Sequence, residues 1–305
     1  MESFAKDYSA ASRRLPDFIA VGPPRTGTTW LDRVLRGHVG LPEGRKETDF
    51  FKRNYERGID WYAAYFRNCP PNLPCGEICP TYFALEESRR RISSLLPQCR
   101  IIITLRDPVD RAYSYYRLLH RHAWIKTGFE DAVMRRRDIR DESRYAVHIR
   151  AWQETFGAER VHVGFYDDLT ARPQAFLDAI TDFIGIPSIP VADSPIAEER
   201  VNAVNEAPRS RELARRARQL HLWLEDNKFN GTVRLLTDLG VWRFFSTGGP
   251  KFELLTDEID ARLRELFRPD VEEVEKMLGR DLTAWKTPRS KRRPPNETHD
   301  SNTHP

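Results

Sequence analysis

Residues Val21 to Leu31 read VGPPRTGTTWL and overlap the end of a short apolar run, Asp17 to Gly22. An apolar run that ends in glycine and passes into a helix-compatible stretch reads as strand, turn and helix. Gly22 and Gly27 stand at the spacing of a nucleotide phosphate loop, Gly-x-x-x-x-Gly, followed by Thr28 and Thr29. The lysine that normally follows the second glycine is replaced by Thr28. A cation stands inside the loop instead, at Arg25. Such a turn aims backbone N–H groups and the positive end of a helix at an anion, and the threonines add hydroxyl donors. An ordinary strand-to-helix turn is the plain alternative. The preceding strand, the two glycines and the arginine between them favour a phosphate site at Arg25, Thr26, Gly27, Thr28 and Thr29.

The second informative stretch, Arg100 to Tyr116, reads RIIITLRDPVDRAYSYY. Its β-branched run is the pattern of a parallel strand covered on both faces. Asp107-Pro108 then opens a helix through about His122. Arg106 falls at the strand tip and Ser114 lies in the helix. Ligands of open α/β sheets bind beyond the carboxyl ends of the strands. A nucleotide triphosphatase needs a magnesium carboxylate at such a tip, whereas this strand runs into Arg106, which suits a second phosphate.

Further strands are expected at 75–79 and 161–166, and helices at about 28–36, 59–66, 143–156 and 173–184. The expected fold class is α/β: a P-loop-type central parallel sheet flanked by helices, with a helical C-terminal part reaching about Leu278. Residues 1–16 form an N-terminal extension, 17–285 a single domain, and 186–208 a long loop and candidate lid. The polar, basic stretch 286–305 is expected to be a disordered tail.

The formal charge of +4, from 49 basic and 45 acidic side chains, is too small to argue for nucleic acid. No run reaches the roughly 20 apolar residues of a membrane span. The N-terminal residues lack the apolar stretch of a signal peptide, so the expected address is the cytoplasm. Cys69, Cys75, Cys79 and Cys99 lack the paired spacing of a metal site and are expected to be reduced, partly buried thiols.

The two motifs, in this order, resemble those of the sulfotransferases that use 3'-phosphoadenosine 5'-phosphosulfate (PAPS). KETDFF with GIDWY, and GEICPTYF, resemble the heparan-sulfate branch, including its N-sulfotransferases. VGFYDDLTARPQAFLDAITDFIGIP and LFRPDVEEVEKMLGRDLTAW look like bacterial members. The resemblance implies that the loop from Arg25 to Thr29 holds the 5'-phosphosulfate and that Arg106 and Ser114 hold the 3'-phosphate. It places Trp30 at an adenine-contacting position and Glu47 at the general base. Tyr166 reads equally as an adenine contact or a core tyrosine, and Glu47 by itself reads as a solvated loop residue. Arg25 stands where the family usually has lysine, Asp49 where that branch often has histidine, and Ile78 where it often has lysine. Arg209 and Arg211 are candidates for its basic cofactor-gripping loop. His120 and His122 are alternatives for acid–base work.

The function implied is sulfuryl transfer from PAPS, without a metal, to a hydroxyl or amine of a small-molecule or carbohydrate acceptor, with Glu47 and Arg25 catalytic. The alternative is a P-loop kinase using ATP and magnesium; a non-catalytic nucleotide-binding protein is the third reading. The aromatics Phe50, Phe51, Trp61, Tyr62, Tyr65, Tyr82 and Phe83 line an acceptor pocket or belong to the core.

Overall fold

The computed structural model describes residues 13–191, 206–227, 229–252 and 255–292. Four strands form one sheet: β1 (Phe18–Gly22), β2 (Gly76–Ile78), β3 (Arg100–Leu105) and β4 (Val161–Phe165), in the order β2-β1-β3-β4. All three pairings are parallel. Side chains of a strand alternate between faces, and β3 divides accordingly. Ile101, Ile103 and Leu105 join one apolar layer with Ile19 and Val21, while Ile102 joins the other with Phe18 and Ala20. Both layers are sealed, so the β-branched run is buried throughout, as the sequence predicts. Each fully buried isoleucine contributes about 2–3 kcal/mol of apolar transfer.

The helices are α1 (Thr28–Leu35), α2 (Ile59–Ala63), α3 (Glu86–Leu95), α4 (Pro108–Arg121), α5 (Phe129–Arg135), α6 (Arg137–Arg140), α7 (Tyr145–Phe156), α8 (Tyr166–Ala171), α9 (Pro173–Ile184), α10 (Arg211–Asp226), α11 (Asn230–Asp238), α12 (Val241–Ser246), α13 (Asp257–Leu278), α14 (Thr283–Lys286) and α15 (Arg289–Arg292). α1 and α9 cover one face of the sheet, and α7 and α13 belong to the layer on the other. The C-terminal part is not wholly helical. Glu206–Pro208 (β5) pairs antiparallel with Gly248–Lys251 (β6). The greater part of the candidate lid, residues 192–205, lies outside the described residues, as do residues 1–12 and 293–305.

Two expectations are corrected. Cys69 and Cys75 are joined by a disulfide, leaving Cys79 and Cys99 as free, buried thiols. The prolines of CPPNLPC turn the chain so that the two Cα atoms lie 6.5 Å apart, within disulfide reach. The start of the expected tail is also built into the fold. Arg289 binds Asp110, and Arg292 donates to Asp107 at 3.1 Å.

The reason is a buried acidic cluster at the start of α4. Asp107 caps the helix by accepting the N–H groups of Val109 and Asp110. From α13, Arg264 donates to Asp107 at 2.8 Å and to both oxygens of Asp260 at 2.9 Å. Its remaining donor capacity reaches the Trp285 carbonyl at 2.7 Å. Arg264 is 1% exposed and Asp260 fully buried. Removing one partner of such a cluster strands the others without compensation. Arg264→Leu is therefore expected to cost about 3–5 kcal/mol, and Arg292→Ala, on the outer and wetter side, about 1 kcal/mol; urea unfolding of both variants checks the ranking.

Candidate functional site

The site is assembled where β1 and β3 end side by side. Their register is regular from Phe18 opposite Arg100, then shifts between Ala20 and Gly22. β1 leaves the ladder there and enters the loop. Gly22 has φ +98°, and a Cβ on it would lie 2.6 Å from the backbone of Pro80. Gly27 has φ +95°, with Leu169 only 2.7 Å from the position of a Cβ. Both positions require glycine for the left-handed backbone and for the close approach. The loop is also tied to the sheet beneath it. Thr26 Oγ1 donates to the Pro23 carbonyl at 2.7 Å and lies 2.6 Å from Thr104 Oγ1. Gly27 is the N-cap of α1 and provides no side-chain cap to the first-turn N–H groups.

Arg25 has φ +79°, a conformation a non-glycine residue adopts only when its surroundings hold it there. Its Nε donates to Ser114 Oγ at 2.9 Å. Its carbonyl accepts from Arg106 at 3.4 Å. The Arg106 guanidinium lies 4.6 Å over the Tyr166 ring, and its own carbonyl accepts from the buried Tyr145 hydroxyl at 2.7 Å. The structure thus brings Arg25, Thr26, Gly27, Arg106, Ser114 and Tyr166 together. Burial, then the positive charge of Arg106, Arg117 and Arg121, lowers Arg25 to about 10. The guanidinium stays charged at neutral pH within a crowd of like charge, an arrangement that favours a multiply charged anion.

Arg117 and Arg121 were not singled out in the sequence. Their signal is helical spacing: Ser114, Arg117 and Arg121 recur at i, i+3 and i+7 on α4. Arg117 Nε is buried and has no hydrogen-bond partner among the described residues.

Glu47 lies on a cavity of about 460 Å³ that opens beside Pro24 of the loop. Arg45, Lys46, Asp49, Thr81, His122 and Arg218 also line it, as do Tyr115 and Trp124. Glu47 pairs with Lys46 at 3.1 Å. Asp49 accepts from Thr81 Oγ1 at 2.9 Å and pairs with Arg53 at 2.7 Å. Burial, then the charges of Arg218 and Arg121, holds His122 down to about 3. That leaves a neutral imidazole of low basicity on the cavity wall. His120 is lowered as well, by burial and Arg211, and lies 5.3 Å from Phe252.

Other expected residues are engaged elsewhere. Trp30 is 7% exposed and packs edge-on against Phe176 at 6.1 Å, within the α1–α9 layer. Ile78 is fully buried. Arg211 binds the Ile125 carbonyl, and Arg209 donates to the Gly248 carbonyl at 2.9 Å. From α10, Arg218 reaches the cavity. Of the seven aromatics, Phe50, Phe51, Tyr62, Tyr82 and Phe83 are core side chains, each at most 2% exposed. Trp61 and Tyr65 border a smaller neighbouring cavity with Arg45 and Glu225.

Among the described residues no helix is long and apolar enough to cross a membrane, and no group of three His, Cys, Asp or Glu side chains is placed to hold a metal ion. Asp107, the carboxylate nearest the β3 tip in sequence, is occupied by Arg264, Arg292 and the α4 N-terminus.

The chain is 34% identical over 197 residues to human bifunctional heparan sulfate N-deacetylase/N-sulfotransferase 3, covering 57% of this chain and 22% of that protein. The mouse enzyme 4 of the same name is 32% identical over 196 residues, covering 56% of this chain and 22% of the relative. The chain thus spans roughly a quarter or less of the length of these relatives. A sulfotransferase from Alicyclobacillus acidocaldarius superimposes with a TM-score of 0.63 at 21% identity, covering 90% of this chain and 99% of that one, a likeness of fold. The family model for the sulfotransferase domain matches residues 15–231. This span holds the strand-end loop, Glu47, Arg106, Ser114 and Tyr166, and the chain belongs to the sulfotransferase family.

Proposed function

We propose that the chain transfers the sulfuryl group of PAPS to a hydroxyl or amine of a small-molecule or carbohydrate acceptor. The observation that carries this reading is the Arg25–Ser114 hydrogen bond with Arg106 beside it. It joins a loop suited to a 5'-phosphosulfate to a helix and strand end suited to a 3'-phosphate. One ligand with two separated anionic groups matches that span. Tyr166, under the Arg106 guanidinium, is the aromatic face available to its base. The engagement of Asp107 in an arginine cluster removes the strand-end carboxylate that a magnesium-dependent kinase would use, so the kinase reading is not favoured.

In this mechanism the acceptor atom enters from the cavity and attacks sulfur in line with the departing phosphate. A new bond from acceptor to sulfur forms as the sulfur–oxygen bond to the phosphate breaks. Arg25, Thr28 and the N-terminus of α1 stabilise the charge growing on the leaving oxygen. Arg25 does so as a fixed charge and donor of hydrogen bonds rather than of a proton. Glu47 takes the acceptor's proton. His122 shares the cavity, but its depressed basicity makes it the weaker candidate.

Glu47→Gln should lower turnover by about 10²–10⁴-fold while leaving the affinity for adenosine 3',5'-bisphosphate unchanged; full turnover in this variant removes Glu47 from the mechanism. Arg25→Ala should cost about 10²–10³-fold in kcat with little loss of thermal stability; unchanged kinetics would assign the loop's work to its backbone alone. Calorimetric titration separates the enzyme classes. Adenosine 3',5'-bisphosphate is expected to bind at least tenfold tighter than ADP with no need for magnesium, and the opposite order with magnesium dependence restores the kinase.

A further inference from the structure

Glu77 is a carboxylate with no place in the mechanism above. It sits in the middle of β2, fully buried. Thr48 N–H donates to its Oε1 at 2.9 Å and Thr48 Oγ1 at 2.5 Å. Tyr62, from α2, donates to Oε2 at 2.7 Å, and the Tyr82 hydroxyl lies 3.3 Å from Oε1. The network continues outward from these partners. Thr48 Oγ1 accepts the Phe50 N–H at 3.1 Å, and the Tyr82 hydroxyl accepts the Phe51 N–H at 3.3 Å. The Thr48 carbonyl accepts from Asn54 at 2.8 Å. The backbone immediately after Glu47 is thus held from the core by one carboxylate.

We propose that Glu77 is a positioning residue for the transfer reaction: through Thr48 it fixes the segment that presents Glu47 to the cavity. This inference rests on the reading of Glu47 as the general base. A buried carboxylate is costly unless its oxygens are satisfied, and here the donors come from the loop and from two tyrosines rather than from a cation. Charge-assisted bonds of this kind are about twice as strong as neutral ones. A neutral side chain at position 77 weakens them, and a protonated one presents a hydrogen where a donor already points.

The ionised state is therefore the positioning state, and its surroundings make it sensitive to pH. The groups facing Glu77 are the Tyr62 and Tyr82 phenols, the Cys79 and Cys99 thiols and Asp49. Burial raises its carboxyl from 4.5 to about 7, against the opposing hydrogen bonds of Thr48 and Tyr62. A carboxyl raised by folding binds a proton more tightly in the folded chain. Its contribution to stability is complete below about pH 4.5 and is lost as pH climbs to about 7. Positioning runs the other way and is gained over the upper part of that window.

The test compares wild type with Glu77→Gln and Thr48→Val in amide hydrogen exchange and in turnover from pH 5.5 to 8.5, with PAPS as donor and a glucosamine oligosaccharide and p-nitrophenol as acceptor probes. Exchange needs no acceptor. Both variants should lose at least tenfold protection at the Thr48 and Phe50 amides, with β3 amides unchanged. Wild type should lose it on acidification through about pH 7, and Glu77→Gln should show the acid-form level throughout. In turnover, kcat should fall at least tenfold in both variants with the KM for PAPS within threefold. If Glu77→Gln does not fold, Thr48→Val decides alone. Unchanged protection, or a pH response identical in wild type and Glu77→Gln, overturns the proposal. A Glu47→Gln enzyme with full turnover overturns the parent reading instead, whatever happens at position 77.

Discussion

The parallel pairing of β1 with β3 is the constraint on which the rest of the site depends. Parallel strands end on the same edge of the sheet, so the turn after Gly22 and the tip at Arg106 are brought together although far apart in sequence. A change of register by one residue would turn every β3 side chain to the other face. Ile102 would leave its layer, and Thr104 would leave Thr26. The phosphate-type loop, the strand-end arginine and the α4 serine are thus one consequence of a single ladder, locked by apolar burial on both faces.

Around that ladder the protein buries charge in three ways. At the start of α4, carboxylates and arginines compensate one another, and the result is a rigid helix entry. Such a cluster adds little net stability over an apolar one but fixes geometry, and the geometry fixed here is that of the helix carrying Ser114. At the loop, arginines crowd together, and burial followed by the like charge of Arg106 and Arg117 lowers Arg25. At Glu77 a carboxylate is held by neutral donors alone. The first arrangement is structural, while the second stores repulsion that an anion relieves. The third leaves a core group poised near neutral pH.

The candidate base and the anion loop approach the same cavity from different supports. Glu47 comes from an irregular segment anchored on β2, and Pro24, next to Arg25, from the turn of β1. That segment contains no helix or strand; a backbone turn at Asp49 and side-chain hydrogen bonds to Glu77, Tyr82 and Asn54 hold it. The aromatic side chains flanking Glu47 secure the same segment by burial: Phe50 stacks on Tyr62 at 4.3 Å, and Phe51 meets Tyr82 edge-on. Residues that read as a possible acceptor lining are the foundation of the loop, and the cavity wall is made by Tyr115, His122, Trp124 and Arg218 instead.

The sequence by itself determined the strand, loop and helix at Gly22 and Gly27 and the strand and helix at Arg106. These depend on local rules, namely left-handed glycines, a proline at a helix start and uninterrupted apolar residues, which act over a few residues. It also led to the expectation that Arg25, Arg106 and Ser114 lie near one another, because parallel strands end on one edge of the sheet, and the fold does bring the three side by side. Only the tertiary structure decided which polar residues are buried and with whom. Glu77, between Gly76 and Ile78, carries no mark of burial in its neighbours; Thr48, Tyr62 and Tyr82 reach it from three separate elements. Trp30 became core because Phe176 lies across from it, and the Cys69–Cys75 bridge exists because a proline turn closes the gap. Arg289 and Arg292 left a polar tail for the fold because Asp107, Asp110 and Asp260 together carry more negative charge than Arg264 alone offsets. In each case the deciding partner is distant in sequence, and proximity of that kind is created only when the chain packs.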